Sequence, residues 1–323
     1  MLEEIIGAIR AGNANGVLIK PVAEGVLTGF SGEKLFGTLQ RLAAIFSQVP
    51  DTCYVEVGVF QGLTLLSTAI SALDLPCYGI DNFAYLDPDN KNFDIVNQRT
   101  DRLSIKNTTI INRDYEDALE NLHEYIGDKK IGVYFIDGPH DYRSQLMCLQ
   151  LAMPYLHPNA VIIIDDSNYR HVRQANRDFL ITHPEYKLVF ESYTPCHPQN
   201  MTPTQETEAR QGWWDGVNIL VRDPGNELQL MYPPTERSRE LYENEHLLHA
   251  SNLAKYSLPA LSLVQAIHDG KFATFVARAA KIVKLFQSLN PEEKPRFRAM
   301  NTYSEELPKT NFSHLSAKTA VGS

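Results

Sequence analysis

Short runs rich in β-formers alternate along this chain with stretches of helical spacing. Cys53 to Val57, Cys77 to Ile80, Thr108 to Ile111, Val133 to Ile136 and Val161 to Ile164 read as buried strands. Gly138-Pro139 forbids the continuation of the run at 133. Thr64 to Leu73, Asn92 to Ile105, Asp114 to Tyr125, Tyr142 to Tyr155 and residues 170–182 are expected to be helices. Repeated βα units of this length imply a parallel sheet covered on both faces by right-handed crossovers. Tyr186 to Glu191 and Val217 to Arg222 read as a closing pair of strands. The polar stretch between them, Pro195 to Gly212, is longer than an ordinary connection and is expected to be a lid or disordered.

Helical patterns flank this core. In residues 1–50, Ile5, Ile6 and Ile9, then Leu35, Leu39, Leu42, Ile45 and Phe46 recur at helical spacing, with a break at Gly12 to Gly16. Ser31 is placed to cap the second helix. From Thr235 the pattern is helical again: Leu241, Leu247 and Leu248, then Leu261, Val264 and Ile267, then Phe272, Phe275, Val276, Ala279, Ile282, Val283 and Phe286. That last amphipathic face must pack on core or on another subunit, so the helical additions are where self-association is expected. Asn290-Pro291 ends it, and the polar tail to Ser323 is expected to fray. The expected fold class is α/β, a doubly wound, mostly parallel, seven-stranded sheet with helical additions at both ends. The expected division is a helical cap over 1–50, a sheet domain over 51–223 and a helical extension over 224–323.

Composition narrows the function classes. A net charge of −9 and the lack of a basic run argue against sequence-independent nucleic-acid binding. Cys53, Cys77, Cys148 and Cys196 are scattered without metal-finger spacing and read as buried small hydrophobes in a reducing compartment. Nothing approaches a membrane span, and the acidic start Met1-Leu2-Glu3-Glu4 lacks a signal peptide's apolar core, so the cytoplasm is the expected location.

Candidate chemistry gathers at strand ends. Asp137 closes the run at 133, His140 follows three residues on, and Asp165-Asp166 closes the run at 161. Open α/β sheets bind ligands at that edge, and three clustered acids are costly unless protonated, hydrogen-bonded or neutralised by a cation. Glu56-Val57-Gly58-Val59-Phe60-Gln61-Gly62 occupies the first strand-to-helix turn. Its glycines permit close backbone approach to a ligand, but Phe60 stands where a dinucleotide turn has its middle glycine. Asp81 ends the second strand, followed by Asn82, and can accept from both hydroxyls of a ribose; Asp114 ends the third. Each acid taken singly is as readily a helix cap. His157 and His171 read as surface histidines. Trp213-Trp214 can wall an aromatic or glycosyl substrate or simply pack under the polar stretch.

Over residues 50–222 this ordered set resembles the class I S-adenosylmethionine-dependent methyltransferases. The carriers are Glu56-x-Gly58-x-x-x-Gly62, Asp81, Asp114, Ile136-Asp137-Gly138-x-His140 and Ile164-Asp165-Asp166. Within the class, the set is most similar to the metal-dependent O-methyltransferases, both the catechol and caffeoyl-coenzyme A type and the bacterial macrolide-sugar and cephalosporin-pathway type. The resemblance implies a Rossmann-like sheet. It implies S-adenosylmethionine bound by Glu56, Gly58, Gly62, Asp81, Asn82, Asp114 and Asp137, and a divalent cation such as Mg²⁺ on Asp137, Asp165 and Asp166. Where the catechol-like enzymes have a lysine, this chain has His140, as in the macrolide-sugar enzymes, which implies a histidine base. The implied acceptor is a small molecule with a hydroxyl, a sugar or phenol on a natural-product scaffold. Three readings compete: a metal-independent N- or O-methyltransferase, a nicotinamide-dependent oxidoreductase disfavoured by Phe60, and a silent nucleoside-binding protein.

Overall fold

The seven expected strands are β1 (Thr52–Val57), β2 (Cys77–Ile80), β3 (Thr108–Ile111), β4 (Lys130–Ile136), β5 (Leu156–Ile164), β6 (Tyr186–Ser192) and β7 (Val217–Arg222). They come from a computed structural model that describes residues 1–18, 26–87, 89–235, 257–287 and 310–311. One sheet runs β3-β2-β1-β4-β5-β7-β6, and a two-residue β8 (Thr310–Asn311) pairs outside β6. Strands β1 to β5 pair in parallel, whereas β7 is antiparallel to both β5 and β6. The start of β7 therefore lies at the edge where the parallel strands end.

Alternate residues of each central strand feed two cores. Val133, Phe135, Val161 and Ile163 pack with Leu35, Leu39 and Leu42 of α2 (Glu33–Phe46) and Leu65 and Leu66 of α3 (Leu63–Ser71). Tyr134, Ile136, Ile162 and Ile164 pack with Leu149 of α7 (Tyr142–Ala152) and Phe179 and Leu180 of α8 (Arg170–Thr182). Burial on both faces is why these runs are apolar throughout rather than alternating. Ile5 and Ile9 of α1 (Leu2–Asn15) join the first core, so the N-terminal helices share the sheet's interior.

Several boundaries differ from expectation. Helix α2 is capped by Gly32 with no side-chain hydrogen bond, and the buried Ser31 hydroxyl has no partner among the described residues. A side chain at Gly32 would place its Cβ 2.2 Å from the Gly212 carbonyl oxygen, so chain contact there excludes a capping residue. The helix expected over 92–105 is α4 (Asn92–Arg102), ended by Ser104 at φ 54°. The helix expected over 114–125 divides into α5 (Tyr115–Glu120) and α6 (His123–Ile126). Helix α7 gives way at Ala152 to a 3₁₀ turn holding Pro154, which has no N–H to continue the α ladder. Strand β5 starts five residues early and passes Pro158 at a register shift opposite Ile131 and Val133, a place where a strand tolerates proline.

The polar stretch expected to be a lid or disordered is ordered: it carries α9 (Pro203–Gln211), with a Thr202–Gln205 capping box and Pro203 in its first turn. Beyond β7, residues 257–287 form α10 (Ser257–His268) and α11 (Phe272–Gln287). The helical pattern at Leu241, Leu247 and Leu248 lies outside the described residues, as does the tail except for β8. Cys53, Cys77 and Cys148 are buried thiols as expected, whereas Cys196 is half-buried.

Candidate active site

Backbone ladders run one residue past the parallel strands and hold the loops leaving β1, β4 and β5 at a single edge. Gly58 N–H donates to Ile80 O, Asp137 N–H to Val57 O and Asp165 N–H to Ile136 O at 2.8–2.9 Å. Gly58 has φ 90°, and a Cβ there would lie 1.8 Å from the Asp137 carbonyl oxygen. The crossing of the two turns therefore demands glycine. Asp81 clamps the same turn: its Oδ2 accepts from Val59 N–H and Phe60 N–H at 2.8 Å each, and its Oδ1 from Phe83 N–H at 2.7 Å. The acid expected to meet a ribose also holds the glycine turn in shape.

Glu56 lies beneath this turn, fully buried. Its carboxyl accepts from Tyr54 Oη and, at 2.7 Å, from Thr64 Oγ1. Both oxygens are thus engaged inside the protein, so Glu56 tethers α3 to β1 rather than facing a ligand. Burial raises its pKa to about 8, against the two hydroxyl bonds and aided by the charge of Asp81. A raised acid contributes stability below its unfolded pKa and loses that contribution as pH climbs through about 8. Glu56→Gln cannot ionise, so in urea denaturation its stability should gain on the wild type as pH rises from about 6 to about 9. Parallel stability curves would mean that Glu56 does not titrate in that window.

The acid cluster lies at the ends of β4 and β5. Asp137, His140 and Asp166 each offer one ligand atom, all within 4.8 Å of one another. This compact group differs from the implied ligand set in one member, for His140 stands where Asp165 was expected. Consecutive residues of an extended chain point apart, and Asp166 at φ 51° turns the chain sharply there. Asp165 lies behind, buried, with both carboxylate oxygens lacking hydrogen-bond partners among the described residues. Orphaned buried carboxylate oxygens beside two further acids suit a hard divalent cation.

Asp166 is the electrostatic hub. Its Oδ2 lies 2.6 Å from His140 Nε2. Burial works against its charge, but His140, then His197 and a hydrogen bond from Asp215, bring its pKa below the usual value. Asp137 and Asp165 go the other way, raised well above the carboxylate range by burial and then by neighbouring acids. The neighbouring acids thus oppose one another's charge, and His140 favours that of Asp166.

Sequence reasoning missed two members of this site. Asp215 is buried, hydrogen-bonds Asp166, and is raised well above its ordinary pKa by burial and by Asp166 and Asp165. It precedes the antiparallel β7, and Asn168 N–H bonds to its carbonyl at 3.0 Å. His197 comes from the polar stretch, its ring edge-on to the buried Tyr169 at 6.0 Å, and the His140 ring lies 5.0 Å from the same tyrosine. Gln199 N–H donates to His197 Nδ1 at 3.1 Å, which leaves Nε2 to carry the proton of the neutral ring.

The other expected site residues stand further out. Asp114 is exposed and caps α5 by accepting from Glu116 N–H. Asn82 is exposed, its Oδ1 accepting from Ala84 N–H. Gly62 caps α3 in the left-handed region. Trp213 is core: its indole donates to Asn13 Oδ1 at 3.0 Å and its ring packs on Phe190. Trp214 is buried under Phe30 and Arg210, one residue from Asp215. His171, expected at the surface, is wholly buried in α8, and His157 is half-buried, edge-on to Phe46.

Comparison with known proteins places these features. A family model described as a methyltransferase domain matches residues 55–167. Among solved structures, the O-methyltransferase from Bacillus cereus in complex with SAH is similar at 15% identity and a TM-score of 0.45, over 69% of this chain and 90% of that one. The O-methyltransferase TomG from Streptomyces achromogenes, in complex with SAM, is similar at 12% identity and 0.42, over 68% and 90%. SAH-bound methyltransferase PaMTH1 of Podospora anserina is similar at 12% identity and 0.42, over 68% and 88%. At these scores the likeness carries no information about activity. No curated protein matches the chain. The match to the methyltransferase-domain model, residues 55–167, spans the glycine turn and Asp137, His140, Asp165 and Asp166, and the sheet around them is Rossmann-like.

Proposed function

We propose that this chain transfers a methyl group from S-adenosylmethionine to a hydroxyl of a small molecule, with a divalent cation at the acid cluster and His140 as the base. The observation that carries the reading is the convergence of Asp137, His140 and Asp166 beside the orphaned carboxylate of Asp165, next to the glycine turn. Asp137 and Asp166 would hold Mg²⁺, with the buried Asp165 carboxylate behind them adding negative charge to the site. When bound, the cation supplies positive charge that lowers the pKa of a hydroxyl coordinated to it.

The chain's own residues do the rest. The glycine turn and Asp81 hold the cofactor, with Asn82 and Asp114 at the rim. His140 accepts the proton of the acceptor hydroxyl, and the alkoxide oxygen attacks the sulfonium methyl. The new O–CH₃ bond forms as the S–CH₃ bond breaks, S-adenosylhomocysteine leaves, and the proton passes from His140 to water. The Tyr169 ring packs between those of His140 and His197 and helps to fix the base. The acceptor is a sugar or phenol. The buried thiols and acidic charge fit the cytoplasm, and no described helix is long and apolar enough to cross a membrane.

A second reading has its own observation. The 2.6 Å contact between His140 and Asp166 is a base oriented by a carboxylate, which can serve a metal-independent methyltransferase. Calorimetric titration with S-adenosylhomocysteine and with NAD, each with and without Mg²⁺, tests the cofactor assignment. One S-adenosylhomocysteine per chain and no NAD binding is expected, and Asp81→Ala should weaken the complex by about 2–3 kcal/mol, the worth of hydrogen bonds to a charged group. Binding of NAD alone would replace the reading with the oxidoreductase.

A further inference from the structure

Three segments of chain meet at the acid cluster. Because β7 runs antiparallel to both β5 and β6, the segments that leave β5 and β6 lie beside the one that enters β7. The first holds Asp166 and the third holds Asp215, two hydrogen-bonded acids that like charge would drive apart. Asn168, wholly buried, joins all three segments. Its backbone N–H donates to the Asp215 carbonyl at 3.0 Å, beside Ser167 N–H, which donates to the Gly216 carbonyl at 3.2 Å. Its side chain reaches across to Thr194, just past β6. There Oδ1 accepts from Thr194 N–H at 3.1 Å, and Nδ2 donates to the Thr194 carbonyl at 3.0 Å and to Oγ1 at 2.6 Å. The side chain thus pairs with Thr194 as the peptide of a neighbouring strand would, using both the acceptor and the donors of a carboxamide.

Two neighbours shape the chain for this contact. Gly216 has φ 87°, and a Cβ there would lie 2.5 Å from Asn168 Oδ1, so glycine leaves room for the amide to cross. Arg173 of α8 is buried, and its Nη1 donates to the Ser167 carbonyl at 2.8 Å and to the Asn168 carbonyl at 2.5 Å. The guanidinium therefore fixes the chain directly after Asp166. We propose that Asn168 is a positioning residue for the acid cluster: it ties the three segments together so that Asp166 is held at once against His140 and Asp215. The inference rests on the cation site proposed above, since what Asn168 positions is a carboxylate that would hold the metal. Asn168 takes no part in proton or methyl transfer; it acts through Asp166.

Calorimetric titration of Mg²⁺ into the full chain saturated with S-adenosylhomocysteine, and of S-adenosylhomocysteine into the chain alone, tests it. Asn168→Ala should weaken Mg²⁺ binding by roughly 10- to 100-fold, the usual effect of removing a residue that orients a metal ligand, while S-adenosylhomocysteine affinity stays within about twofold. The glycine turn and Asp81 are held by bonds that do not involve Asn168. Thr194 is half-buried, so its variants decide the matter should Asn168→Ala fail to fold. Thr194→Val loses the 2.6 Å acceptor and should weaken Mg²⁺ binding by roughly threefold or more, whereas Thr194→Ser keeps the hydroxyl and should bind as the wild type does. Wild-type Mg²⁺ affinity in both Asn168→Ala and Thr194→Val would overturn the proposal and leave the cation site standing. Equal losses of Mg²⁺ and S-adenosylhomocysteine affinity would overturn it too, as damage to the fold at large. A wild type that binds no Mg²⁺ would overturn the cation site, and this proposal with it.

Discussion

Stripping divalent cations with a chelator should abolish methyl transfer to any hydroxyl acceptor the chain turns over, and added Mg²⁺ should restore it. Positive charge on the reacting oxygen is worth several kcal/mol in the transition state, so a loss of roughly 10³-fold or more is expected. Turnover that survives the chelator would promote the metal-independent reading, with His140 and Asp166 working as an oriented base.

Replacing His140 by Ala should lower turnover by roughly 10²–10⁴, the usual worth of a positioned general base. Gly138-Pro139 leaves little slack between Asp137 and His140, so the imidazole is held beside the cluster by the backbone as well as by Asp166. The base acts in its neutral form, and the wild-type rate should therefore rise with pH as the imidazole loses its proton; the variant should lack that limb. Cofactor affinity should be nearly unchanged, because the glycine turn and Asp81 are held by bonds that do not involve His140. A variant with most of its turnover and the same pH profile would reduce His140 to a residue of the turn.

What could be read from the sequence was whatever the chain keeps local. The strands at 53, 77, 108, 133 and 161 each carry their burial in a few consecutive residues, and Asp137, His140, Asp165 and Asp166 come directly after their strands. Asp215 had no such signal. It precedes β7 instead of trailing it, and only the antiparallel insertion of β7 between β5 and β6 brings its start to the site. His197 was hidden in a stretch read as a lid or disorder, although Thr202-Pro203 followed by Gln205 does spell the start of a helix. Glu56 was legible as an acid at a strand end, but not as one enclosed by Tyr54 and Thr64, because Thr64 belongs to the next element. Asp114 also forms the helix cap that any acid in its position can form.

Calorimetric titration of Mg²⁺ into the chain saturated with S-adenosylhomocysteine should show one saturable site per chain, with proton release as Asp137 ionises, and a folded Asp137→Asn variant should lose that site. No saturable binding to the wild type, or equal binding to Asp137→Asn, would mean that the acids gathered around Asp166 are not a cation site.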